Sequence, residues 1–321
     1  MDWKDKIVLV TGGSGSFGKK FIRLLLNEVH PAKIIIFSRD ELKQHEMRVN
    51  GYDDPKLRYF IGDVRDRDRL MYACRGVDTV VHAAALKRVD HCEDNPDEAV
   101  LTNIHGTRNL RDACIERGVQ KAVFLSTDKA AEPNTLYGGT KFVAERLWLA
   151  SNVYSAGTVT RFAATRYGNV LGSTGSVVPL WRKQAGAGEL AVTDPDMTRF
   201  WMPMSAAVSL VLLAITHMRG GEVFIPKIGA APITTLAQAV APGCTFRITG
   251  IRPGEKMHEC LIGQDEARNA HDAGSCYIIE PSTVTWATRT PCPAPLVPSG
   301  FTYRSDNART LTQDELTEML R

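Results

Sequence analysis

The chain has 321 residues, enough for one large domain or two modest ones. Hydrophobic residues make up 44% and charged residues 23%, an ordinary globular composition that excludes a disordered chain. Lys and Arg number 39 against 36 Asp and Glu, so a net charge of +3 gives no footprint for nucleic acid or an acidic membrane, and no apolar run of about 18 residues is present to span a bilayer.

Residues 6–11, KIVLVT, read as a buried strand, and 16–29 carry a helical pattern. Between them TGGSGSFG places glycines at 12, 13, 15 and 18. A tight turn and a close backbone approach to a pyrophosphate both need residues without a Cβ, and the helix N-terminus that follows offers N–H groups to phosphate. Gly12, Gly15, Ser16, Phe17 and Gly18 are the expected cofactor contacts. A second strand at 33–37 runs into SRDELK. Arg39 suits the 2′-phosphate of NADP, with Ser38 beside it and Lys43 assisting. The alternative is a solvated Arg39 with Asp40 on an NAD ribose, and NADP is the expected cofactor. A third strand spans 57–63; Asp63 contacts adenine or caps a helix, and Val64 adjoins it. The fourth, 78–84, ends at Ala83 and Ala84, also expected on the cofactor side.

A helical pattern covers 95–117, a fifth strand 121–127, a helix 136–152 and a sixth strand 157–169. Strands alternating with helices imply right-handed βαβ units in a Rossmann-type, doubly wound parallel sheet, α/β in class. The rhythm changes near residue 168. We therefore expect a dinucleotide-binding domain over 1–168 and a mainly substrate-binding region over 169–321, with some segments returning to the first domain. Residues 205–218 form a mostly apolar helix in that region, and 281–299, rich in Pro and Thr, an irregular surface segment.

Tyr137 and Lys141 lie four apart at the start of the 136–152 helix, on one face. A tyrosine titrating near pH ~10 needs a neighbouring cation to act as a base at neutral pH. Ser126, Thr127, Asp128 and Lys129 lie at the carboxyl end of the fifth strand, the side on which open α/β sheets bind ligands. There Asp128 and Lys129 either divide acid and base duties or form a salt-bridged loop. The seven cysteines are scattered without a CxxC pair, as expected of free thiols in a reducing compartment. His82, His105 and His258 lack metal-ligand spacing, and no metal is expected. The opening MDWKDKIVLVTGG has no signal-peptide layout, so a cytoplasmic protein is expected.

Taken together, TGGSGSFG, FSRDELKQHEMR, GDVRD, HAAALKRVD, TNIHGT, STDKAAEPNTLYGGTK, RYGNVLGSTGSVVP, DMTRFWM and IRPGEKMHE resemble one family over most of the chain. It is the configuration-inverting UDP-N-acetylglucosamine 4,6-dehydratases, extended short-chain dehydrogenase/reductases of polysaccharide and flagellin-sugar biosynthesis. Lys129 stands where retaining dTDP-glucose dehydratases carry a glutamate, and the interval from Thr127 to Tyr137 is shorter than theirs. The resemblance implies a UDP-sugar substrate, transient oxidation at carbon 4 and inversion at carbon 5. Tyr137 would take the 4-hydroxyl proton, oriented by Thr127, with Lys141 supporting it. Lys129 would be the base at carbon 5, and Asp128 the acid that expels water from carbon 6. It also implies that Arg252 meets the diphosphate, Glu255 the uridine ribose, and Lys87 the sugar or nicotinamide. Asn169 and Arg199 are further substrate candidates, Arg199 having a structural ion pair as its alternative. A homo-oligomer is implied as well. Arg88 and Asp90 depart from the family pattern, which often has His or Gln and then Pro. A nucleotide-sugar 4- or 5-epimerase would share the cofactor site and leave Asp128 spare. A non-catalytic NADP-binding protein would have no use for the Tyr137 and Lys141 pair.

Overall fold

The computed structural model describes residues 2–173, 175–286 and 292–320. Six parallel strands, β1 (Ile7–Thr11), β2 (Lys33–Ser38), β3 (Leu57–Ile61), β4 (Thr79–His82), β5 (Lys121–Leu125) and β6 (Arg161–Thr165), run in the spatial order β3-β2-β1-β4-β5-β6. The order reverses between β1 and β4, the switch point at which such sheets bind dinucleotides. Both faces of the central strands are covered, which is why β1, β2, β4 and β5 read as apolar runs, whereas β3 at the edge stays partly exposed. Leu9 of β1 joins one core with Phe37, Leu110 and Trp148. Its neighbours Val8 and Val10 join another with Phe21, Ile22 and Met47.

Three later strands widen the same sheet. Val223–Pro226 lies parallel to β6, Cys276–Ile279 antiparallel beyond it, and Ala270–Asp272 antiparallel at the edge. The helix Met204–His217 also packs here, with Val208, Val211 and Ile215 in the core of Phe21 and Val123. A third core, including Leu171, Trp181, Leu190, Trp201, Leu236 and Leu316, is built from the later chain alone. Arg166, just past β6, ties the two parts together. Its buried guanidinium meets Glu145 at 2.5 Å on the helix Leu136–Tyr154 and Glu266 at 2.6 Å on Gln264–Ala267.

Several expected elements change length. The sixth strand is shorter than 157–169, because Gly157 (φ +78°) sits in a turn and Asn169–Val170 leaves the sheet to pair with Trp201 and Met202. The helices over 16–29 and 95–117 each carry a π turn, Leu25–Val29 and Val100–His105. Helices Glu41–Val49 and Arg67–Ala73 add to the expected set; each begins on an aspartate, Asp40 or Asp66, whose side chain accepts a backbone N–H of the first turn. Of the 281–299 segment, residues 287–291 lie outside the described residues. Farther on it covers a sheet edge, with Asp272 N donating to Pro295 O and Val297 N to Ala270 O. Among the described residues no helix is long and apolar enough to cross a membrane, and no His, Cys, Asp and Glu cluster has the makings of a metal site.

Candidate active site

The glycine-rich turn connects β1 to the helix Ser16–Leu24, with Gly15 at its N-cap. Gly12 has φ +66°, and a Cβ on it would lie 2.9 Å from Ala84 N. A Cβ at Gly18 would lie 2.4 Å from Gly13 O. Each is therefore confined to glycine, and the turn presses against the end of β4 as a dinucleotide cradle requires. The Ser14 and Ser38 hydroxyls, 2.7 Å apart, fasten it to the end of β2. Ser16 and Phe17 open the helix, and Phe17 stacks on Phe21.

The rivalry between Arg39 and Asp40 takes a physical form here. Asp40 is occupied as a helix cap: its side chain accepts Lys43 N at 2.9 Å and pairs with Lys43 Nζ at 2.7 Å. Arg39 is 52% exposed, 3.5 Å from Asp63 Oδ2. Burial works against the charge on Asp63, but Arg65 and Arg39 outweigh it and hold its carboxyl below the usual range. Val64 turns its side chain into the core against Gly106, so a cofactor contact there falls to its backbone.

Behind the cradle runs a buried relay. Ala84 N donates to Thr11 Oγ1 (3.3 Å), which lies 2.7 Å from His82 Nδ1; His82 Nε2 lies 3.0 Å from Thr107 Oγ1, which donates to Asn103 O at 2.6 Å. Because Thr107 gives its own proton to Asn103, it accepts from Nε2–H, and Nδ1 accepts from Thr11. The imidazole is thus neutral; burial, with Lys141 adding, pushes its pKa down to about 3. Asn103 holds both backbone groups of Leu86, at 2.9 and 3.0 Å, and donates to Thr140 on the helix Leu136–Tyr154 at 3.0 Å. The loop carrying Ala84 and Lys87 is in this way fixed to the helix carrying Tyr137.

At the end of β5 the chain makes a 3-10 turn, Asp128–Ala130, capped by Thr127. The Thr127 hydroxyl donates to Asp128 Oδ1 at 2.9 Å, and the Tyr137 phenol lies close enough to feel the charges of Lys129 and Asp128. Lys129 Nζ stands between two buried carboxylates, 3.2 Å from Asp128 Oδ1 and 3.0 Å from Glu259 Oε1. Its side chain keeps 28% exposure, whereas those of Asp128 and Glu259 keep 1% and 3%, so Lys129 is the member that faces out. Tyr137 is buried beside Cys92. Lys141, one helical turn on, donates to Leu125 O at 2.6 Å and lies over the Phe124 ring.

The electrostatics refine the expected roles. Burial pushes Tyr137 up to about 12, and the cation that counters it is Lys129 rather than Lys141. Burial pushes Lys141 down to about 7 against the pull of Glu145. For Lys129 burial disfavours the charge, but Asp128 and Glu259 outweigh it and hold the ammonium above its ordinary range. A base role for Lys129 therefore requires loss of a proton that both neighbours retain. Burial raises Asp128, and Glu259 pushes the same way.

The expected substrate residues divide into two groups. Lys87 is exposed, though its partial desolvation lowers its pKa. Arg252 is exposed, in the loop where Glu255 Oε2 accepts Arg252 N at 3.2 Å. Asn169 opens the short strand beside Trp201. Arg199, in contrast, is 5% exposed, with its guanidinium bonded to Thr198 O (2.7 Å) and Met257 O (3.1 Å) and 3.7 Å from both Glu255 and Glu259. Arg199 is thus held by backbone carbonyls and carboxylates of its surroundings. Arg88 and Asp90 pair with each other at 3.2 Å on the surface. Sequence reasoning gave no role to Glu259; its only signal was its place at the end of IRPGEKMHE.

Residues 8–281 match a family described as polysaccharide biosynthesis protein. A Campylobacter jejuni relative named UDP-N-acetylglucosamine 4,6-dehydratase (inverting) is 51% identical over 86% of this chain and 83% of its own. One from Rickettsia canadensis named UDP-glucose 4-epimerase is 40% identical over 98% of this chain and 95% of its own. Among solved structures, Pen from Bacillus thuringiensis is 36% identical, with a TM-score of 0.90 over 100% of this chain and 99% of that one. The dTDP-glucose 4,6-dehydratase DesIV of Streptomyces venezuelae, solved with NAD, is 25% identical, with a TM-score of 0.71 over 78% of this chain and 86% of that one.

Proposed function

Because the chain belongs to the polysaccharide biosynthesis protein family, we propose that it is an inverting UDP-N-acetylglucosamine 4,6-dehydratase, a hydro-lyase that uses a nicotinamide dinucleotide. The observation that carries this reading is the grouping of Thr127, Asp128, Lys129 and Tyr137 at the end of β5, beside a glycine cradle closed against Ala84. Identity of 51% to a relative of that name supports it.

Gly12, Gly15, Ser16 and Gly18 would hold the dinucleotide by backbone, since a Cβ on Gly12 or Gly18 would close the turn. Bound there, the cofactor supplies transient oxidation at carbon 4 and the matching reduction at carbon 6, and so ends as it began. NADP is the form we favour, because Asp40 is engaged with Lys43 and Arg39 is the exposed side chain at the end of β2. Tyr137 takes the proton of the 4-hydroxyl, which Thr127 orients. The resulting ketone acidifies the hydrogen on carbon 5. Asp128 and Lys129 then divide the proton transfers at carbon 5 and at the departing 6-hydroxyl. Lys141 braces the helix that holds Tyr137 and stands ready for the cofactor ribose. Lys87, Asn169, Arg252 and Glu255 meet the UDP-sugar. Reprotonation of carbon 5 from the opposite face gives a UDP-6-deoxy-4-keto-L-hexosamine. A cytoplasmic homo-oligomer accompanies this reading, and sedimentation of the purified protein tests the assembly.

A nucleotide-sugar 4-epimerase is the second reading, favoured by the 40% identity to the Rickettsia canadensis protein. One experiment separates them. UDP-N-acetylglucosamine incubated with enzyme and NADP in heavy water should lose one water mass and gain deuterium at carbon 5. A product of unchanged mass epimerised at carbon 4 would replace the dehydratase with the epimerase.

A further inference from the structure

Lys129 is fixed from two sides, and only one of them lies in its own turn. The second is Glu259, more than a hundred residues later, whose Oε1 lies 3.0 Å from Lys129 Nζ and 3.7 Å from Arg199 Nε. Glu259 is 2% exposed, and among the described residues its Oε2 has no hydrogen-bond partner, as is also true of Asp128 Oδ2. A buried carboxylate with an unsatisfied oxygen is costly and is not explained by stability alone. Its placement is rigid. Glu259 N donates to Ser305 Oγ at 2.8 Å, Ser305 N donates to Glu259 O at 2.9 Å, and the next residues, Cys260–Ile262, pair with Tyr303–Arg304. The backbone thus delivers one carboxylate to the back of Lys129 while the lysine keeps its outward exposure.

We propose that Glu259 is a positioning residue of this site, the buried carboxylate that fixes both the charge and the aim of Lys129. The proposal rests on the dehydratase reading, in which Lys129 exchanges a proton with the sugar.

The charges around Lys129 can be followed element by element. Its own turn contributes Asp128, the strand Thr198–Met202 contributes Arg199, and the helix Leu136–Tyr154 contributes the neutral phenol of Tyr137. The segment before Glu259 adds Glu255, which faces Arg199, and Lys256, which acts on Glu259. Asp128, Glu259, Lys129 and Arg199 balance as two anions and two cations. Removing the Glu259 charge leaves an excess cation, and Lys129 is the member that can shed it, because arginine does not deprotonate in proteins. The proton affinity of Lys129 therefore falls in Glu259→Gln. The direction is the same whether Lys129 gives or takes the proton during turnover.

The test is the pH profile of kcat/KM for wild type, Glu259→Gln and Glu259→Asp, with UDP-N-acetylglucosamine and NADP. The limb governed by Lys129 should move at least about one pH unit lower in Glu259→Gln, with the change carried by kcat and KM little altered. Glu259→Asp, which keeps the charge but draws it back from Lys129 on a shorter stem, should displace the same limb in the same direction by a smaller amount. Movement of the alkaline limb identifies Lys129 as proton donor, and movement of the acid limb as acceptor; either supports the inference. A uniform fall at every pH with no limb displaced means that Glu259 only holds the fold together, and overturns it. If Glu259→Gln does not bind NADP and so has not folded, Glu259→Asp decides: a limb displaced by a smaller amount in the same direction supports the proposal, and an unmoved one ends it. Water loss by the wild type is scored separately. Its absence removes the dehydratase reading and this inference with it, whereas its presence with unmoved limbs removes the inference alone.

Discussion

Gly138 and Lys129 approach so closely that a Cβ on the glycine would lie 2.4 Å from the lysine carbonyl oxygen. The first glycine of YGGTK is thus a packing residue that lets the helix of Tyr137 lie against the turn of Asp128 and Lys129. A Cβ on Gly139, the next residue, would meet nothing within 4 Å. Gly138→Ala should cost about 1–3 kcal/mol of stability by overpacking. Gly139→Ala should instead stabilise by up to about 1 kcal/mol through helix propensity. Urea unfolding of the two variants checks this, and equal effects would show that the close approach has no energetic weight.

Asp128→Asn, Lys129→Ala and Lys141→Ala should each lower turnover at least about 100-fold, the lower end of what a positioned acid or base contributes. The first two should leave NADP affinity within a few-fold, because neither residue lies at the cradle. Near-wild-type turnover in all three would remove the proposed chemistry.

His82 makes the protein acid-sensitive. Its pKa is about 3 in the folded chain against 6.5 as the ordinary value, because burial opposes the charge. Between these pH values the unfolded chain binds a proton that the folded one refuses. The stability is therefore complete above 6.5 and declines as pH falls toward 3, by about 1.4 kcal/mol per unit at most. Relative to His82→Gln, the wild type should lose about 2 kcal/mol between pH 6.5 and about 5. Parallel urea-midpoint curves for the two proteins would contradict this account.

Arg39→Ala should weaken NADPH binding about 10- to 100-fold and leave NADH nearly unchanged, as expected for loss of a charge-assisted contact to one phosphate. Fluorescence titration with both reduced cofactors measures it. Unaltered NADPH affinity would return the choice of cofactor to the neighbourhood of Asp40.

The parts of this molecule that are readable in the sequence have local causes. β1, β2, β4 and β5 announce themselves as apolar runs because both of their faces are buried, and the glycine turn because its spacing reflects backbone sterics. Thr127, Asp128, Lys129 and Tyr137 stand out because they cluster in one short stretch. Glu259 does not, because its burial comes from pairing with Ser305 across the fold, which no window around residue 259 contains. Arg199 reads equally well as a ligand contact or an ion pair, and its contacts with Met257 O and Glu259 come from parts of the chain far from it in sequence. The sixth strand reads too long because the β-branched and apolar residues continue past the turn at Gly157, where the left-handed backbone prevents pairing.

Arg166 sets a limit on how the chain can be divided. Its guanidinium has one carboxylate from the helix Leu136–Tyr154 and another from Gln264–Ala267, and its backbone N–H donates to Phe224 O. A fragment ending at 168 would strand that cation with half its counter-charge and leave β6 as a bare edge, a defect worth about 3–5 kcal/mol for the broken pair alone. The cofactor half of this protein thus draws half of the counter-charge for its buried Arg166 from the last hundred residues.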